Sequence, residues 1–286
     1  MLRRRGLAAP GVPLLAFVAA ACSDVFGPGP EPFCASRPDS AVVTFEDPAL
    51  ALAIRSELSV SPQLDLTCAM VAGVANLTAA GAGITSLQGI ENLTNLSTLW
   101  IRANAISNIA PLAGLEGLTS LNLAANQILD VEPLRHLTAL TFLAINENGG
   151  ITDIGALAGL TSLTGTLWLG SNSVTDLSPL SALTGVTTLN AWDNELTDLN
   201  GLGTLTALTT ISVHTNRLTD VSALAALPAL DVVILRNNPD LTSIAALLGN
   251  SALGPGADVN LSGTNVGCSD VDALAAKGVA VISDCP

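Results

Sequence analysis

The chain is 286 residues long, with 49% hydrophobic residues, 12% charged residues and a formal net charge of −14 at pH 7. So acidic a balance argues against nucleic acid and anionic lipid headgroups as partners, since both select basic surfaces. Aromatic residues are scarce, at three tryptophans, five phenylalanines and no tyrosine, so a cluster of them carries information.

The N-terminus reads MLRRRGLAAPGVPLLAFVAAACS. Three arginines precede a short apolar run that ends in small residues, the pattern of a secretory signal over residues 1–21. From Gly6 to Ala21 the run falls short of the roughly 20 apolar residues a membrane span needs. Ala19-Ala20-Ala21-Cys22 resembles a bacterial lipobox, with Ala19 where that motif prefers leucine. The resemblance implies cleavage before Cys22 and lipidation of Cys22. With Ser23 next, it implies the outer membrane in a Gram-negative cell. The alternative is an ordinary cleaved signal that leaves Cys22 free. On the first reading the protein is exported to the cell envelope and meets a membrane only through its N-terminal lipid; on the second it is secreted. Removing the three signal arginines leaves seven basic against 24 acidic residues, a net of −17.

Residues 22–43 read as a tether, with Pro28, Pro30, Pro32, Pro38, Gly27 and Gly29 in a short stretch. Residues 44–73 read as an N-terminal cap. There Asp47 is a helix N-cap, Pro48 fits the first turn, and Leu50, Ile54 and Leu58 line one helix face.

From Val74 the chain repeats. The block from Leu96 is LSTLWIRANAISNIAPLAGLEG and the block from Leu118 is LTSLNLAANQILDVEPLRHLTA. Further blocks start at Val186 and Leu208, and each obeys LxxLxLxxNxLxDxxxLxxLxx over 22 residues, with aliphatic substitutions. Copies from Leu140, Leu163 and Leu230 carry one extra residue each, near Gly149-Gly150, Gly165 and Pro239-Asp240. Eight copies fill residues 74–252, the first of them degenerate. A partial ninth and a C-terminal cap fill 253–286. One copy cannot bury its own apolar edge, but stacked copies share a core. In the copy from Leu118, Leu121 and Leu123 alternate as in a short strand. Ile128, Val131, Leu134 and Leu137 return at about three-residue spacing, which suits a 3-10 or extended path better than an α-helix.

This pattern resembles the leucine-rich repeats, and the 22-residue unit resembles the internalin-type class of bacterial repeats. Phe45, Asp47, Leu50 and Ile54, spaced FxDxxLxxxI, resemble the helical cap in front of internalin repeats. The resemblance implies an α/β fold: a right-handed leucine-rich-repeat solenoid with a concave parallel β-sheet, a 3-10 or irregular convex side, and a helical N-terminal cap.

Two polar rows follow the register. Asn104, Asn126, Asn148, Asn172, Asn194, Asn216 and Asn238 recur at one position. An amide that both donates and accepts can serve backbone groups of its own turn and the next, so a buried ladder is expected. Ala82 stands there in the first copy, which places the start of the ladder one repeat later. Asp130, Asp153, Asp176, Asp198 and Asp220 form the second row. They are expected to accept from backbone N–H groups at the convex turn. A calcium stack is the alternative, but calcium needs several oxygens converging in one loop.

Cys34, Cys68, Cys268 and Cys285 fall as one pair at each end of the repeats. Three connectivities exist. Cys34–Cys68 with Cys268–Cys285 is favoured, because a solenoid keeps its ends farther apart than a disulfide can span. At the C-terminus Ser269 and Asp272 form an S-x-x-D capping signal, a helix runs to Lys277, Gly278 stops it, and Val279 to Ile282 read as a last strand.

The candidate site is the concave face. Residues flanking the inward leucines fall in columns. One contains Trp100, Ala144, Trp168 and Ser212. A second contains Arg102, Ala124, Asn146, Gly170, Trp192, His214 and Arg236, and a third includes Phe142. All three tryptophans lie in these columns. Trp100, Arg102, Phe142, Trp168, Trp192, His214 and Arg236 are expected to form one exposed ridge of the residue types enriched at binding hot spots. The alternative is that the aromatics only cover neighbouring backbone. His136 is expected on the far surface.

No nucleophile–base pair, phosphate loop or metal cluster is legible, so no cofactor, no metal and no enzyme activity are expected. Glu147 and Asp193 are the nearest approach to a carboxylate pair on the concave side, but two repeats apart. The expected function is a monomeric cell-envelope module that binds a protein ligand. A carbohydrate-binding surface protein and a purely structural periplasmic spacer are the alternatives.

Overall fold

A computed structural model describes residues 33–286. The signal over residues 1–21, the lipidation site at Cys22 and the tether up to residue 32 lie outside the described residues.

The chain is a leucine-rich-repeat solenoid. Ten short strands, β1 (Asn76–Thr78), β2 (Thr98–Trp100), β3 (Ser120–Asn122), β4 (Phe142–Ala144), β5 (Gly165–Trp168), β6 (Val186–Asn190), β7 (Thr210–Ser212), β8 (Val232–Ile234), β9 (Asp258–Asn260) and β10 (Ala280–Ile282), form one sheet in chain order. Every neighbouring pair is parallel. Parallel neighbours need a crossover on each connection. Here the return runs through 3-10 turns such as Ala110–Leu112, Glu132–Leu134 and Ser178–Ala182. The three-residue spacing of inward side chains asked for this tighter turn.

The central leucines of adjacent strands stand in register: Leu99 beside Leu121, Leu121 beside Leu143, Leu189 beside Ile211. With the return-path residues Ile128, Leu134 and Leu137 they form one continuous buried core. The extra residue at Gly165 appears as a register shift between β5 and β6. β4 and β5 share only two register pairs, Leu143 with Leu167 and Ala144 with Trp168.

The asparagine ladder is present and starts at Asn104. Asn126 shows the unit. Its Nδ2 donates to the carbonyls of Ile101 (3.1 Å) and Leu123 (2.9 Å), and its Oδ1 accepts from Ile106 N–H (3.1 Å). Each rung thus closes its own turn and grips the turn before. The residue preceding each rung is left-handed, at φ 52° to 59° from Ala103 to Asn237. Side chains with a Cβ rarely adopt that conformation, and the ladder holds it in place. Asn172 is the exception, for its Oδ1 is buried without a partner. The N–H two residues past the preceding rung belongs to Gly150, in the insertion, and Gly149 beside it turns at φ 75°. The aspartates are turn caps. Asp130, Asp153, Asp176, Asp198 and Asp220 each accept from the backbone N–H two residues on, at 2.7–2.9 Å.

At the N-terminal end α1 (Pro48–Glu57) buries Leu50 and Ile54, and α2 (Cys68–Ala72) follows it. Asp47 caps α1 through Ala49 and Leu50 N–H. The tether assigned to residues 22–43 is corrected at its C-terminal part. Phe33–Ser36 form a 3-10 turn, and Cys34 N–H donates to Asn92 Oδ1. Val43 N–H donates to Leu66, and Cys68 N–H returns to Ala41. Cys34 and Cys68 are bonded, with Cα atoms 5.4 Å apart. A proline-rich composition reads as a linker, but here backbone pairing and a disulfide hold residues 33–43 on the cap.

At the other end Cys268 and Cys285 are bonded, Cα to Cα 5.6 Å. α3 (Ala245–Gly249) precedes β9, and α4 (Cys268–Ala276) packs between β9 and β10 in sequence. The Ser269–Asp272 capping signal is also corrected. Gly267 is the N-cap, without a side-chain bond, and Ser269 sits inside the first turn. The helix starts two residues early because extended Gly267 hands the chain directly to the bonded Cys268. Lys277, the one lysine of the sequence, closes α4. Its Nζ donates to the carbonyls of Leu247 (3.2 Å), Leu248 (3.0 Å) and Asn250 (2.6 Å), the open end of α3. Lys277→Met keeps the stem and strands those carbonyls. It is expected to lower unfolding stability by about 2 kcal/mol in urea denaturation.

Candidate functional site

The sheet presents its outer face as the concave side of the solenoid. Core leucines point in, and the residues between them point out. The seven candidate residues therefore reach this face by register alone. Trp100 and Trp168 are 44% and 37% exposed. Arg102 is exposed, while Phe142, Trp192, His214 and Arg236 are half-buried. His136 is exposed on the return path.

Ring contacts join some of them into two groups. In the first, Trp100 and Phe142 lie tilted with ring centroids 6.3 Å apart. Trp100 Nε1 donates to Ser120 Oγ at 2.9 Å, so its indole is anchored. Beside Phe142 opens a recess of ≈ 330 Å³, with Trp168 on its far wall. Its floor includes Ala124 and Ala144, both buried although the strand alternation places them outward. Arg102, Asn122, Asn146 and Glu147 supply the polar rim. Asn146 Nδ2 donates to Glu147 Oε1 at 2.9 Å, and Asn122 Oδ1 accepts from Ala124 N–H at 3.1 Å. Among the described residues no side-chain bond engages Arg102, Trp168 Nε1 or Asn122 Nδ2.

The second group is self-contained. Trp192 stacks on His214, centroids 5.8 Å apart and planes 11° off parallel. On its other side Trp192 covers Gly170, where any Cβ would overlap the indole. His214 Nε2 lies 3.4 Å from Arg236 and Nδ1 3.1 Å from Thr215 Oγ1. Burial lowers the imidazole pKa, and the Arg236 charge lowers it further, with Asp193 partly opposing. A neutral ring with its proton on Nδ1 satisfies both contacts, accepting from Arg236 and donating to Thr215. Trp192 is half-buried and stacked, whereas Trp168 is 37% exposed and has no aromatic ring stacked on it. Nothing in residue type distinguishes the two. The signal is lateral: glycine precedes Trp192 in its column, and histidine follows it.

Glu147 and Asp193 remain on separate repeats. Each holds a local partner, Asn146 for Glu147 and Ser171 Oγ for Asp193 at 3.0 Å. Ser212 is buried, leaving β7 without an open contact in the first column.

A family profile described as leucine-rich repeats in two copies matches residues 184–226. Among solved structures the chain is similar to an internalin C2 from Listeria monocytogenes, at 29% identity and a TM-score of 0.69. That match covers 86% of this chain and all of the other. It is also similar to a leucine-rich-repeat protein of Leptospira interrogans, at 19% identity and a TM-score of 0.54, covering 69% of this chain and 57% of that one. No curated protein matches its sequence significantly. The leucine-rich-repeat fold and an internalin-type likeness stand on these matches.

Proposed function

We propose that the chain is a non-catalytic, exported binding module that contacts a protein partner through its concave face. One observation carries the reading. The scaffold accounts for the leucines, the asparagine ladder and the aspartate caps, but not for Trp100, Arg102, Phe142 and Trp168. Those four gather on one face, in a protein otherwise poor in aromatic residues. Aromatic and arginine side chains around a water-accessible hollow are the types that dominate binding energy. The internalin-type likeness and the two disulfides fit an exported protein. Lipid attachment at Cys22 belongs to the same proposal. Among the described residues no helix is long and apolar enough to cross a membrane. A periplasmic spacer would have no use for an open tryptophan.

An array of candidate proteins displayed against the purified chain tests this. The triple change Trp100→Ala, Trp168→Ala, Trp192→Ala is expected to abolish capture of a bound partner, and His136→Ala on the convex side to leave it intact. Capture that survives the triple change rules out the concave face. For the anchor, a radiolabelled fatty acid should appear on the wild-type protein and not on Cys22→Ser.

A further inference from the structure

The geometry points to a site for one neutral pyranose ring in the recess between Phe142 and Trp168. The inference rests on the concave face being the binding face and names the chemistry of its central hollow. Three features carry it.

The first is the open aromatic face. Trp100 is tied to Ser120, and Trp192 is sandwiched between Gly170 and His214. Trp168 alone keeps an exposed indole with an unengaged N–H, and it borders a hollow lined also by Phe142, Ala124, Ala125 and Ala144. An apolar lining beside an indole suits the C–H face of a sugar ring.

The second is the rim. Arg102, Asn122 Nδ2 and Trp168 Nε1 are donors without partners among the described residues. The Asn146 side-chain oxygen and the second oxygen of Glu147 are acceptors in the same state. Sugar hydroxyls donate and accept alike, so an alternation of both kinds around an apolar floor is complementary to them. An aliphatic side chain in the hollow would desolvate these groups and leave them unpaired. A charged side chain of either sign would meet its own sign on one of Arg102 and Glu147, which offsets what it gains from the other. A neutral polyol meets neither penalty.

The third is size. At ≈ 330 Å³ the recess lies at the small end of ligand sites. It suits one ring, not a peptide segment.

The ring can come from a free polysaccharide or from a glycan on a protein partner. The test separates these. Methyl glycosides of neutral hexoses, N-acetylhexosamines and uronic acids are titrated into the full chain. Indole fluorescence and saturation-transfer NMR give the readout. Neutral glycosides are expected to bind saturably, with uronic acids weaker. Trp168→Ala should weaken binding about tenfold or more, as for a central hot spot. Glu147→Gln, which keeps shape and one acceptor, should weaken it less, and His136→Ala on the convex side should leave it unchanged. Circular dichroism and thermal melting confirm that each variant is folded. A polysaccharide that competes with the glycoside identifies the first source, and a partner protein released by enzymatic deglycosylation identifies the second. Absence of saturable binding by every neutral glycoside overturns the inference, as does binding indifferent to Trp168→Ala. A partner captured through this face regardless of deglycosylation and of excess glycoside overturns it too, while leaving the binding-face proposal standing.

Discussion

Asn216→Ala is expected to lower unfolding stability by about 3 kcal/mol, and Asn172→Ala by about 1 kcal/mol less. Both residues hold the same place in the repeat and are equally deep. The Asn216 amide serves three backbone groups: Oδ1 accepts from Leu196 N–H at 3.0 Å, and Nδ2 donates to Ala191 and Val213 carbonyls at 3.1 and 3.0 Å. Alanine leaves all three buried and unpaired, at about 1–3 kcal/mol each before relaxation and water entry reduce the sum. At Asn172 the two donor bonds exist, to Ile145 and Leu169, but Oδ1 accepts nothing. The difference between the two variants isolates the Oδ1 bond, one of the two that join a copy to the copy before. Urea denaturation of both proteins side by side measures it. Equal losses would mean that the Oδ1 bond contributes nothing net.

That contrast also marks what the sequence could convey. Periodicity fixes a solenoid because a 22-residue unit with leucines at strand and return positions has one way to bury them, by stacking. The rung asparagines and aspartate caps were legible for the same reason, since their register assigns each a backbone partner. The left-handed residue before each rung was not. Ala103, Glu147, Ser171 and Asn237 share no side-chain chemistry, and only Gly81 in the first copy hints at positive φ. The turn is imposed by hydrogen bonds from the neighbouring residue, so its own identity is nearly free. The consequences of inserted residues were legible in place but not in effect. Gly149-Gly150 marks a length change, yet only the packed neighbour shows that it costs Asn172 an acceptor contact.

The binding face divides in a similar way. Alternation along a strand says which residues leave the core, so all seven candidates reach the expected side. Exposure is decided across strands. Gly170 is outward by alternation yet buried, because Trp192 from the next copy spreads over it. A single repeat contains no record of this, and the lateral order of large and small residues along each column does. Reading columns as well as rows would separate the occupied Trp192 from the open Trp168. The misplaced boundary at residue 43 has another origin. Composition registers proline, whereas the segment from Phe33 is held by backbone bonds to residues 66–69 and by Cys34, contacts remote in sequence.

Asp47 yields the other large effect, one that depends on pH. Its carboxylate is almost fully buried and accepts from five groups. Oδ1 takes Ala49 and Leu50 N–H at 2.8 and 3.3 Å, and Oδ2 takes Thr85 N–H, Thr85 Oγ1 and Ser86 N–H at 2.7, 3.0 and 3.2 Å. One side chain thus caps α1 and pins it to the first repeat, closing an end of the core that would otherwise meet water. Burial acts to raise the pKa. The bonds from Thr85, Ser86 and Ala49 outweigh it and bring the group down from 3.8 to about 2. A carboxylate with a depressed folded pKa binds fewer protons when folded than when unfolded, so stability rises with pH across that interval. The contribution, about 2 kcal/mol, is fully present above the unfolded value near 4 and is lost as pH falls through the folded value near 2. Asp47→Asn keeps the shape but cannot carry the charge. It replaces one acceptor with a donor facing N–H groups, so it should cost about 3 kcal/mol at pH 7 and flatten the acid limb of the stability profile below pH 4. Urea midpoints from pH 2 to pH 7 for both proteins read the two effects together. Parallel profiles, with an equal loss at every pH, would assign the acid sensitivity to other carboxylates and leave Asp47 a neutral cap rather than a charged one.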